Sequence, residues 1–259
     1  MKQKLPKYEG KKFNKGIATD VKDYLTIEEA LQININESAF TVIMRSPGND
    51  NDLVRGLLYN EDIYTGDSPL TLDIIKTSDL GYTTEVNVDI NPDHLGEGYL
   101  SSRSMLSVSS CGICGKRELG DLSIKGKKLE GIDFSPLQIE TLLDKMKKEQ
   151  IGFAQSGGSH AAAIFDNELK LLTTREDIGR HNAVDKAIGF LLTESQLKTA
   201  SFMVVSGRVS YEIITKTFRA KIPVLLAVSA PSSLAIDFAK ELGITVFCFC
   251  RDNKATRYS

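Results

Sequence analysis

Apolar and polar residues alternate with a period of two in the first part of the chain. Two such runs flank Asn36-Glu37-Ser38, and their apolar members are Leu31, Ile33, Ile35, Phe40, Val42 and Met44. Successive side chains of a strand point to opposite faces, so the pattern predicts two half-buried strands joined by a turn. The apolar spacing becomes helical at 53–58, and further strands are predicted at 70–77 and 82–90.

The segment 91–120 has a different pattern. It is rich in Ser and Gly, it shows weak periodicity, and it contains Cys111 and Cys114. Loops of this length in compact proteins are usually functional or disordered. Most of the segment is therefore predicted to be an irregular loop.

Helix signals return beyond this segment. Ser135 precedes Pro136, which suits the first position of a helix, and Gln138 completes a capping-box pattern. A helix capped by Ser135 is predicted to start here. Gly152 follows the Lys-rich end of its apolar face and is predicted to stop it.

The last part of the chain alternates between strands and helices. A hairpin around Asp166-Asn167 and a helix at 182–192 are predicted first, followed by strands at 202–205, 223–228 and 244–249 with helices at 211–218 and 234–242. Apolar runs without alternation suit strands that are buried on both faces. The strand–helix–strand order implies parallel pairing with right-handed crossovers, so the predicted fold class is α/β.

Three polar corners follow these strands, at 206–208, 229–233 and 249–254. Ligands of open parallel sheets bind outside the carboxyl ends of the strands, and the first two corners lead into helix N-termini, which suit a phosphate. Turn and cap roles are the alternative at any one corner, but three corners at one sheet edge would share one crevice. The candidate residues here are Ser206, Gly207, Arg208, Ser229, Phe249, Cys250, Arg251, Asp252, Asn253 and Lys254.

Two histidines lie in further polar segments. His160 ends the Ser- and Gly-rich loop 155–160, and His181 ends the segment 175–181, which gathers ionisable residues around a helix start. A solvated, capped helix terminus is the alternative for the second segment. Both histidines are candidate binding residues, whereas His94 is assigned no role.

The four cysteines form two close pairs, Cys111/Cys114 and Cys248/Cys250. No secretory signal is recognised, so a reducing cytosol is expected and structural disulfides are not. Glycine and serine flank the first pair, which keeps its thiols accessible. Nearby cations that could lower the pKa of these thiols are Arg103, Lys116 and Arg117.

Three functions for the first cysteine pair remain open on this pattern. All four cysteines could bind zinc, although two donors at i and i+2 on a buried strand make an awkward half-site. Cys111 and Cys114 could form a redox pair, but no thioredoxin-like strand-to-helix context is evident. One of them could instead accept a persulfide sulfur and deliver it elsewhere. Cys248 and Cys250 are expected to be small apolar fillers of a strand.

Composition and charge exclude several classes of protein. With 259 residues, 41% hydrophobic and 25% charged, the chain is typical of a globular protein. Its longest apolar run, 222–230, is about half of the roughly 20 residues that a membrane span needs. The net charge is −2, with +5 in residues 1–16 and −7 in the rest, so binding to nucleic acid is not expected. We predict a basic, mobile tail at 1–16, a β-rich part at 17–120 and an α/β part at 121–259.

Taken together, several segments resemble the FdhD family of formate dehydrogenase accessory sulfurtransferases. The matching segments, in chain order, are 46–47 with 52–58, 110–115, 157–163, REDIGRHNAVDKAIG at 175–189, SGRVSYE at 206–212, VSAPSSLA at 228–235, and 249–254 with Tyr258. They cover nearly the whole chain from residue 17 onward.

The resemblance implies a cytoplasmic protein with a cytidine-deaminase-like three-layer fold, a smaller N-terminal β-rich subdomain and a homodimeric assembly. It implies sulfur transfer from a cysteine desulfurase to the molybdenum cofactor, in its bis-molybdopterin guanine dinucleotide form, for formate dehydrogenase. The C-x-x-C of the family corresponds to Cys111 and Cys114, with Cys111 favoured as the persulfide carrier. Its C-terminal cofactor-binding segment corresponds to 249–254.

Deamination is not expected in spite of this fold. Zinc-dependent deaminases need an H-x-E motif and a P-C-x-x-C motif. Here Ala161 and Ala162 follow His160, and no proline precedes Cys111. Two alternatives to a sulfur carrier are a non-catalytic chaperone that docks the cofactor and its target enzyme, and a zinc-stabilised binding module. No metal is expected to be bound by the protein itself.

Overall fold

The computed structural model describes residues 5–64, 66, 68, 70–102 and 126–259. Its strands are β1 (Lys7–Asn14), β2 (Ile17–Tyr24), β3 (Glu29–Ile35), β4 (Ser38–Arg45), β5 (Leu72–Thr77), β6 (Thr83–Val88), β7 (His160–Asp166), β8 (Leu171–Asp177), β9 (Ala200–Val205), β10 (Val224–Ala227), β11 (Thr245–Arg251) and β12 (Lys254–Arg257). Its α-helices are α1 (Asp50–Asn60), α2 (Glu97–Ser102), α3 (Ile139–Glu149), α4 (Ile151–Ser156), α5 (Arg180–Thr193), α6 (Tyr211–Arg219) and α7 (Ser233–Leu242). In the described part of the chain, no helix is both long and apolar enough to cross a membrane.

The larger core surrounds a sheet with the strand order β12-β11-β10-β9-β7-β8. Strands β9, β10 and β11 are parallel, as the strand–helix–strand order predicts, whereas β7 is antiparallel to both β8 and β9. Apolar residues of α5, α6 and α7 pack on one face of the sheet, and those of α3 pack on the other. The α/β class and the three layers are therefore confirmed.

The smaller core lies under a second sheet with the strand order β4-β3-β6-β5. Alternate residues of β3 and β6 point inward against α1, which confirms the period-two prediction for this region. The buried members of this core include Leu31, Ile33, Ile35, Val54, Leu58, Val86 and Val88. A β-rich N-terminal part is thus present, and α1 connects it with the larger part.

Helices α1 and α5 cross at two glycines. A Cβ atom on Gly56 would overlap the carbonyl oxygen of Asp185, and a Cβ atom on Gly189 would overlap the carbonyl oxygen of Asp52. The two backbones therefore approach more closely than any larger residue would allow. This contact, between helices from the two parts of the chain, fixes the position of one part on the other.

The described part of the predicted tail, residues 5–16, contains a strand instead. Strand β1 lies within this range and pairs with β2 in an antiparallel ribbon. Lys15 and Gly16 both have positive φ values, 47° and 84°, which matches a two-residue hairpin turn. Charge composition gives no information on this pairing, which depends on the turn and on cross-strand partners.

The predicted loop at 91–120 is wrong in its first part. Asn91 accepts a hydrogen bond from the backbone N–H of Asp93 and starts a short 3₁₀ turn at Pro92–His94, which is followed by α2. Cys111 and Cys114 lie outside the described residues, as does the predicted boundary between 120 and 121.

The predicted ends of the next helix are also corrected. Ser135 makes no side-chain capping bond, and a 3₁₀ turn at Pro136–Gln138 precedes α3. The helix breaks at Gln150 rather than at Gly152, which lies inside α4 because Glu176 accepts hydrogen bonds from the N-terminal amides of that helix. The stop is Gly157, whose φ of 66° suits a residue without a Cβ atom.

The segment 249–254 is a hairpin rather than a loop beyond the last strand. Strand β11 continues to Arg251, Asp252 and Asn253 form the turn with φ values of 54° and 56°, and β12 begins at Lys254. The register shifts between Cys248 and Arg251, and Phe249 has a φ of 55°, so the strand carries a bulge.

This bulge separates the second cysteine pair. Cys248 belongs to the core under α5, α6 and α7, whereas Cys250 belongs to the core under α3. Residues at i and i+2 of a regular strand share one face, but here they lie on opposite faces of the sheet. Both side chains are buried, which confirms them as apolar fillers, and they cannot form one half of a zinc site.

The glycine crossing leads to a stability prediction. Replacement of Gly56 or Gly189 by alanine forces α1 away from α5 and should lower the free energy of unfolding by about 3 kcal/mol. A Cβ atom on Gly131 would meet no neighbouring atom within 4 Å, and Gly131 has no positive φ, so Gly131→Ala is the matched control. Urea unfolding midpoints of the three variants test this, and equal midpoints would contradict the crossing.

The buried cysteines lead to a reactivity prediction. Burial raises the pKa of Cys248 to about 12 and that of Cys250 to about 11, so neither forms thiolate near neutral pH. In a Cys111→Ser, Cys114→Ser variant, Ellman's reagent should therefore label no thiol in the folded protein and both thiols after denaturation. Rapid labelling of the folded variant would show that one of them is accessible.

Candidate functional site

The three polar corners meet at one edge of the larger sheet. The backbone N–H of Val228 donates to Val205 (3.1 Å) and that of Phe249 donates to Ser229 (3.1 Å), so the segments after β9, β10 and within β11 are direct neighbours. Val209 also forms a bridge with Pro231. The predicted convergence at the carboxyl ends of the parallel strands is therefore present in the structure.

Ser206 connects the end of the Ser- and Gly-rich loop 155–160 to the same edge. Its Oγ accepts a hydrogen bond from the backbone N–H of Ala161 (2.9 Å) and lies 3.3 Å from Nδ1 of His160. The backbone N–H of Ser206 donates to the carbonyl of Ala161 (3.0 Å). His160, at the start of β7, therefore lies beside the end of β9, because these two strands are antiparallel neighbours.

Gly207 allows an arginine to approach this corner. A Cβ atom at Gly207 would lie 3.0 Å and 3.2 Å from carbons of the Arg180 side chain, and 3.4 Å from Nδ1 of His160. The Nε of Arg180 is buried and has no hydrogen-bond partner among the described residues. A buried guanidinium N–H without a partner is costly, so this donor is available for an anionic ligand.

Burial and the neighbouring arginines favour the neutral form of His160. Burial lowers the pKa of its imidazole, and the positive charges of Arg180 and Arg208 lower it further, while Asp177 opposes them. At neutral pH this histidine therefore acts as a hydrogen-bonding group. The positive charge at the corner comes from the two arginines, and Arg208 is exposed to solvent.

His181 has a different environment from His160. It is buried, with Nε2 located 3.3 Å from Oγ of Ser210 and 4.0 Å from a carboxylate oxygen of Glu212. Ser210 and Glu212 stand at the start of α6, so His181 connects the first turns of α5 and α6.

A buried ion pair fixes the start of α5. The carboxylate of Asp177 accepts from Nζ of Lys186 (2.7 Å), from the backbone N–H of Ser46 (3.1 Å) and from the backbone N–H of Gly179 (2.8 Å). Lys186 also donates to the carbonyl of Ser46 (2.8 Å). Since Ser46 directly follows β4, this network ties the smaller sheet to the helix end that carries Arg180.

The hairpin β11–β12 supplies exposed side chains at the same edge. Arg251, Asp252, Asn253 and Lys254 are exposed at its tip, and Phe249 is 37% exposed. Cys250 is 1% exposed, so it can contribute no more than backbone atoms to a ligand. The tip thus adds two cations and one carboxylate to the rim of the corner.

Sequence reasoning misses Arg180, Asp177, Lys186 and Ser46 as members of the site. A signal exists in the density of ionisable residues at 175–181, yet the sequence prediction selects the histidine rather than the arginine beside it. Among the described residues, no three His, Cys, Asp or Glu side chains are placed to hold a metal ion. The described arrangement suits binding of an anion through N–H groups.

Comparisons with known proteins agree on one family. The sequence model of the FdhD/NarQ family matches residues 26–259. The chain is 40% identical over 249 residues to the sulfur carrier protein FdhD of Picrophilus torridus, covering 92% of this chain and 91% of that protein. It is 38% identical over 250 residues to the protein of the same name from Mycobacterium tuberculosis, covering 91% and 89%.

The fold has a counterpart among solved structures. A formate dehydrogenase accessory protein from Desulfotalea psychrophila superposes with a TM-score of 0.76 at 18% identity, covering 98% of this chain and 96% of that one. At this identity the likeness concerns the fold, and it agrees with the three-layer α/β arrangement described above. The sequence match over nearly the whole chain shows that this protein belongs to the FdhD/NarQ family.

Proposed function

We propose that this protein is a cytoplasmic sulfur carrier for formate dehydrogenase. In this proposal Cys111 and Cys114 take sulfur from a cysteine desulfurase and pass it to the bis-molybdopterin guanine dinucleotide form of the molybdenum cofactor, and the carrier acts as a homodimer. The proposal is supported by membership of the FdhD/NarQ family and by the name sulfur carrier protein that its relatives bear.

One observation on the thiols carries the proposal. The chain has four cysteines, and the structure buries Cys248 and Cys250 in two separate apolar cores. Their pKa values are raised, so they are poor nucleophiles at neutral pH. Thiolate chemistry is thereby left to Cys111 and Cys114, whose Gly- and Ser-rich surroundings suit a reactive pair.

Loading of the carrier is a thiol–persulfide exchange. The thiolate of Cys111 attacks the terminal sulfur of a persulfide on the desulfurase, a new S–S bond forms, and the original S–S bond breaks with its electron pair on the desulfurase cysteine. The product is a persulfide on Cys111, with no net oxidation. In delivery a nucleophilic group of the cofactor attacks the terminal sulfur and supplies the electron pair of the new bond, and the S–S bond breaks with its electron pair on Cys111, which leaves as a thiolate.

The edge of the larger sheet fits the nucleotide part of such a substrate. The Nε of Arg180 is buried without a partner among the described residues, and Arg208 is exposed beside it. Helices α5 and α6 start at this edge, so their N-terminal amides add a positive partial charge. In this proposal Arg180, Arg208 and His160 hold phosphate, and the hairpin at 249–254 lies against the rest of the nucleotide.

Persulfide loading is the first prediction of this proposal. After incubation with a cysteine desulfurase and cysteine, intact mass measurement should show one additional sulfur on the protein, which reducing agent removes. A Cys111→Ala, Cys114→Ala variant should gain none, since its remaining thiols are buried.

The matched control is a Cys248→Ala, Cys250→Ala variant, which should load as wild type does. If instead this control loses the sulfur and the Cys111→Ala, Cys114→Ala variant keeps it, the carrier role of the first pair is wrong. If the first-pair variant loads no sulfur yet still supports formate dehydrogenase maturation, the protein is a non-catalytic chaperone.

The second prediction concerns the pH dependence of nucleotide binding. The pKa of His160 is lowered in the free protein, and a bound phosphate would raise it, so binding should take up a proton. The affinity for GDP should therefore rise several-fold as the pH falls from about 8 to about 6, after correction for protonation of the phosphate itself. Isothermal titration calorimetry in two buffers measures both the affinity for GDP and the proton uptake on binding.

Variants of the protein separate proton uptake by His160 from protonation of the ligand. His160→Asn should remove the proton uptake, and Arg208→Ala should weaken binding about tenfold at every pH. Arg219 lies at the far end of α6 and pairs with Asp62, so Arg219→Ala is the control with an equal change of charge. Equal proton uptake by wild type and His160→Asn would show that His160 does not contact the phosphate.

A further inference from the structure

The ribbon formed by β1 and β2 stands apart from both cores. Within the part of the chain that the structure describes, these two strands pair with each other and with no other strand. Every residue of β1 is exposed, including Tyr8 and Phe13. The ribbon also precedes the segment 26–259 that matches the family. A two-stranded hairpin by itself is marginally stable in water, so further pairing would stabilise this one.

The hydrogen bonds of the ribbon show which backbone groups point outward. The N–H of Leu25 donates to the carbonyl of Pro6 (3.1 Å), so these two residues form a hydrogen-bonded pair. Hydrogen-bonded and non-hydrogen-bonded pairs alternate along an antiparallel ribbon. The cross-strand register then places the N–H and C=O groups of the odd-numbered β1 residues on the open edge, namely Lys7, Glu9, Lys11 and Phe13.

We propose that this open edge binds the same edge of a second copy of the chain, with the two-fold axis at Gly10. Antiparallel pairing about this axis places Glu9 opposite Lys11 of the second copy. It also places Tyr8 opposite Lys12 and Lys7 opposite Phe13, which are aromatic–cation pairs. Every position on the edge thus meets a complementary residue, as an isologous contact requires.

The two neighbouring registers lack this complementarity. If the axis moves by one residue to Glu9, then Glu9 faces its own copy and Lys7 faces Lys11. If it moves to Lys11, two lysines face each other. Like charges directly opposite destabilise a strand pair, so the charges on β1 select the register about Gly10. Edge lysines often prevent strand pairing, but in this register each of them has a partner.

The existing ion pairs extend this pattern across four strands. Lys22 on β2 contacts Glu9 at 2.8 Å, and Asp20 lies opposite Lys11 in the ribbon. In the paired ribbons, Lys22 and Glu9 of one copy would lie in one row with Lys11 and Asp20 of the second copy. Positive and negative charges would therefore alternate across the four strands. At the centre, Gly10 faces Gly10, so no side chain obstructs the approach of the two strands.

The edge of β1 is favoured over the edge of β2 by exposure. Strand β2 leads toward the body of the protein, where Thr26 bonds to Ser156 of α4 at 2.7 Å, and two of its residues are partly buried. All eight residues of β1 are exposed. This contact rests on the homodimer of the proposed function, to which it gives an interface, but it does not depend on the sulfur transfer, and its test probes the ribbon directly.

Disulfide trapping of the full-length chain tests the contact. In a Cys111→Ser, Cys114→Ser background, Gly10→Cys would place two thiols at a non-hydrogen-bonded pair, where the spacing suits a disulfide. The Cβ of this cysteine fits, since the nearest atom is Cγ2 of Val21 at 3.8 Å. Mild oxidation should give a covalent dimer on a non-reducing gel.

The control is Val21→Cys in the same background, because Val21 lies directly opposite Gly10 on the other strand. It should give little dimer, and efficient crosslinking there but not at Gly10 would assign the contact to β2. Crosslinking at neither position, or at both equally, would overturn the proposal.

A second pair of variants tests the backbone pairing itself. Lys11 and Asp20 are opposite each other, and their N–H groups point to the two outer edges of the ribbon. Lys11→Pro removes a donor from the β1 edge and should lower the Gly10→Cys crosslinking about tenfold, whereas Asp20→Pro should leave it unchanged. Equal crosslinking in both proline variants would contradict pairing through β1.

Discussion

The close crossing of α1 and α5 is the contact on which the arrangement of the molecule depends. Gly56 and Gly189 let the two helix backbones approach without intervening side chains. One helix carries the small sheet, and the other carries the N-terminus at which the polar corners of the large sheet gather. Because α5 is buried on the sheet side as well, any widening of the crossing would disturb both cores at once.

Buried charges make this crossing specific rather than merely close. Lys216 of α6 contacts Asp185 of α5 at 2.6 Å, and Asn60 of α1 donates to the same carboxylate at 2.7 Å. Near the N-terminus of α5, a second buried network is formed by Asp177, Lys186 and Ser46. An unpaired charge in either place would be strongly destabilising, so the three helices have one acceptable arrangement.

In the proposed function, these constraints give a fixed frame for a reaction that moves a sulfur atom. The described part of the chain holds Arg180, His160 and the helix N-termini in fixed positions, with their donors directed to one sheet edge. The bulge at Phe249 places both cysteines of β11 in the interior, where the raised pKa values make them inert. In the proposed function this separation would help a carrier of persulfide sulfur, because additional reactive thiols would compete for the sulfur.

The sequence by itself determined the order of the elements, the α/β class, the parallel strands β9–β11 and the polar corners at their ends. These are local signals, since apolar periodicity and turn residues act over a few neighbouring positions. The family resemblance also came from the sequence, through segments such as those around Cys111 and His181. The ribbon of β1 and β2 was missed because charge composition does not report on cross-strand pairing.

Tertiary structure decided what depends on distant residues or on unusual backbone angles. Arg180 reaches Gly207 because β7, β9 and α5 are adjacent in space, which no local pattern encodes. Cys248 and Cys250 lie on opposite faces because Phe249 adopts a positive φ, which is uncommon for a residue with a large side chain. Both outcomes follow from packing of the whole chain, where long-range contacts override the period that the local sequence predicts.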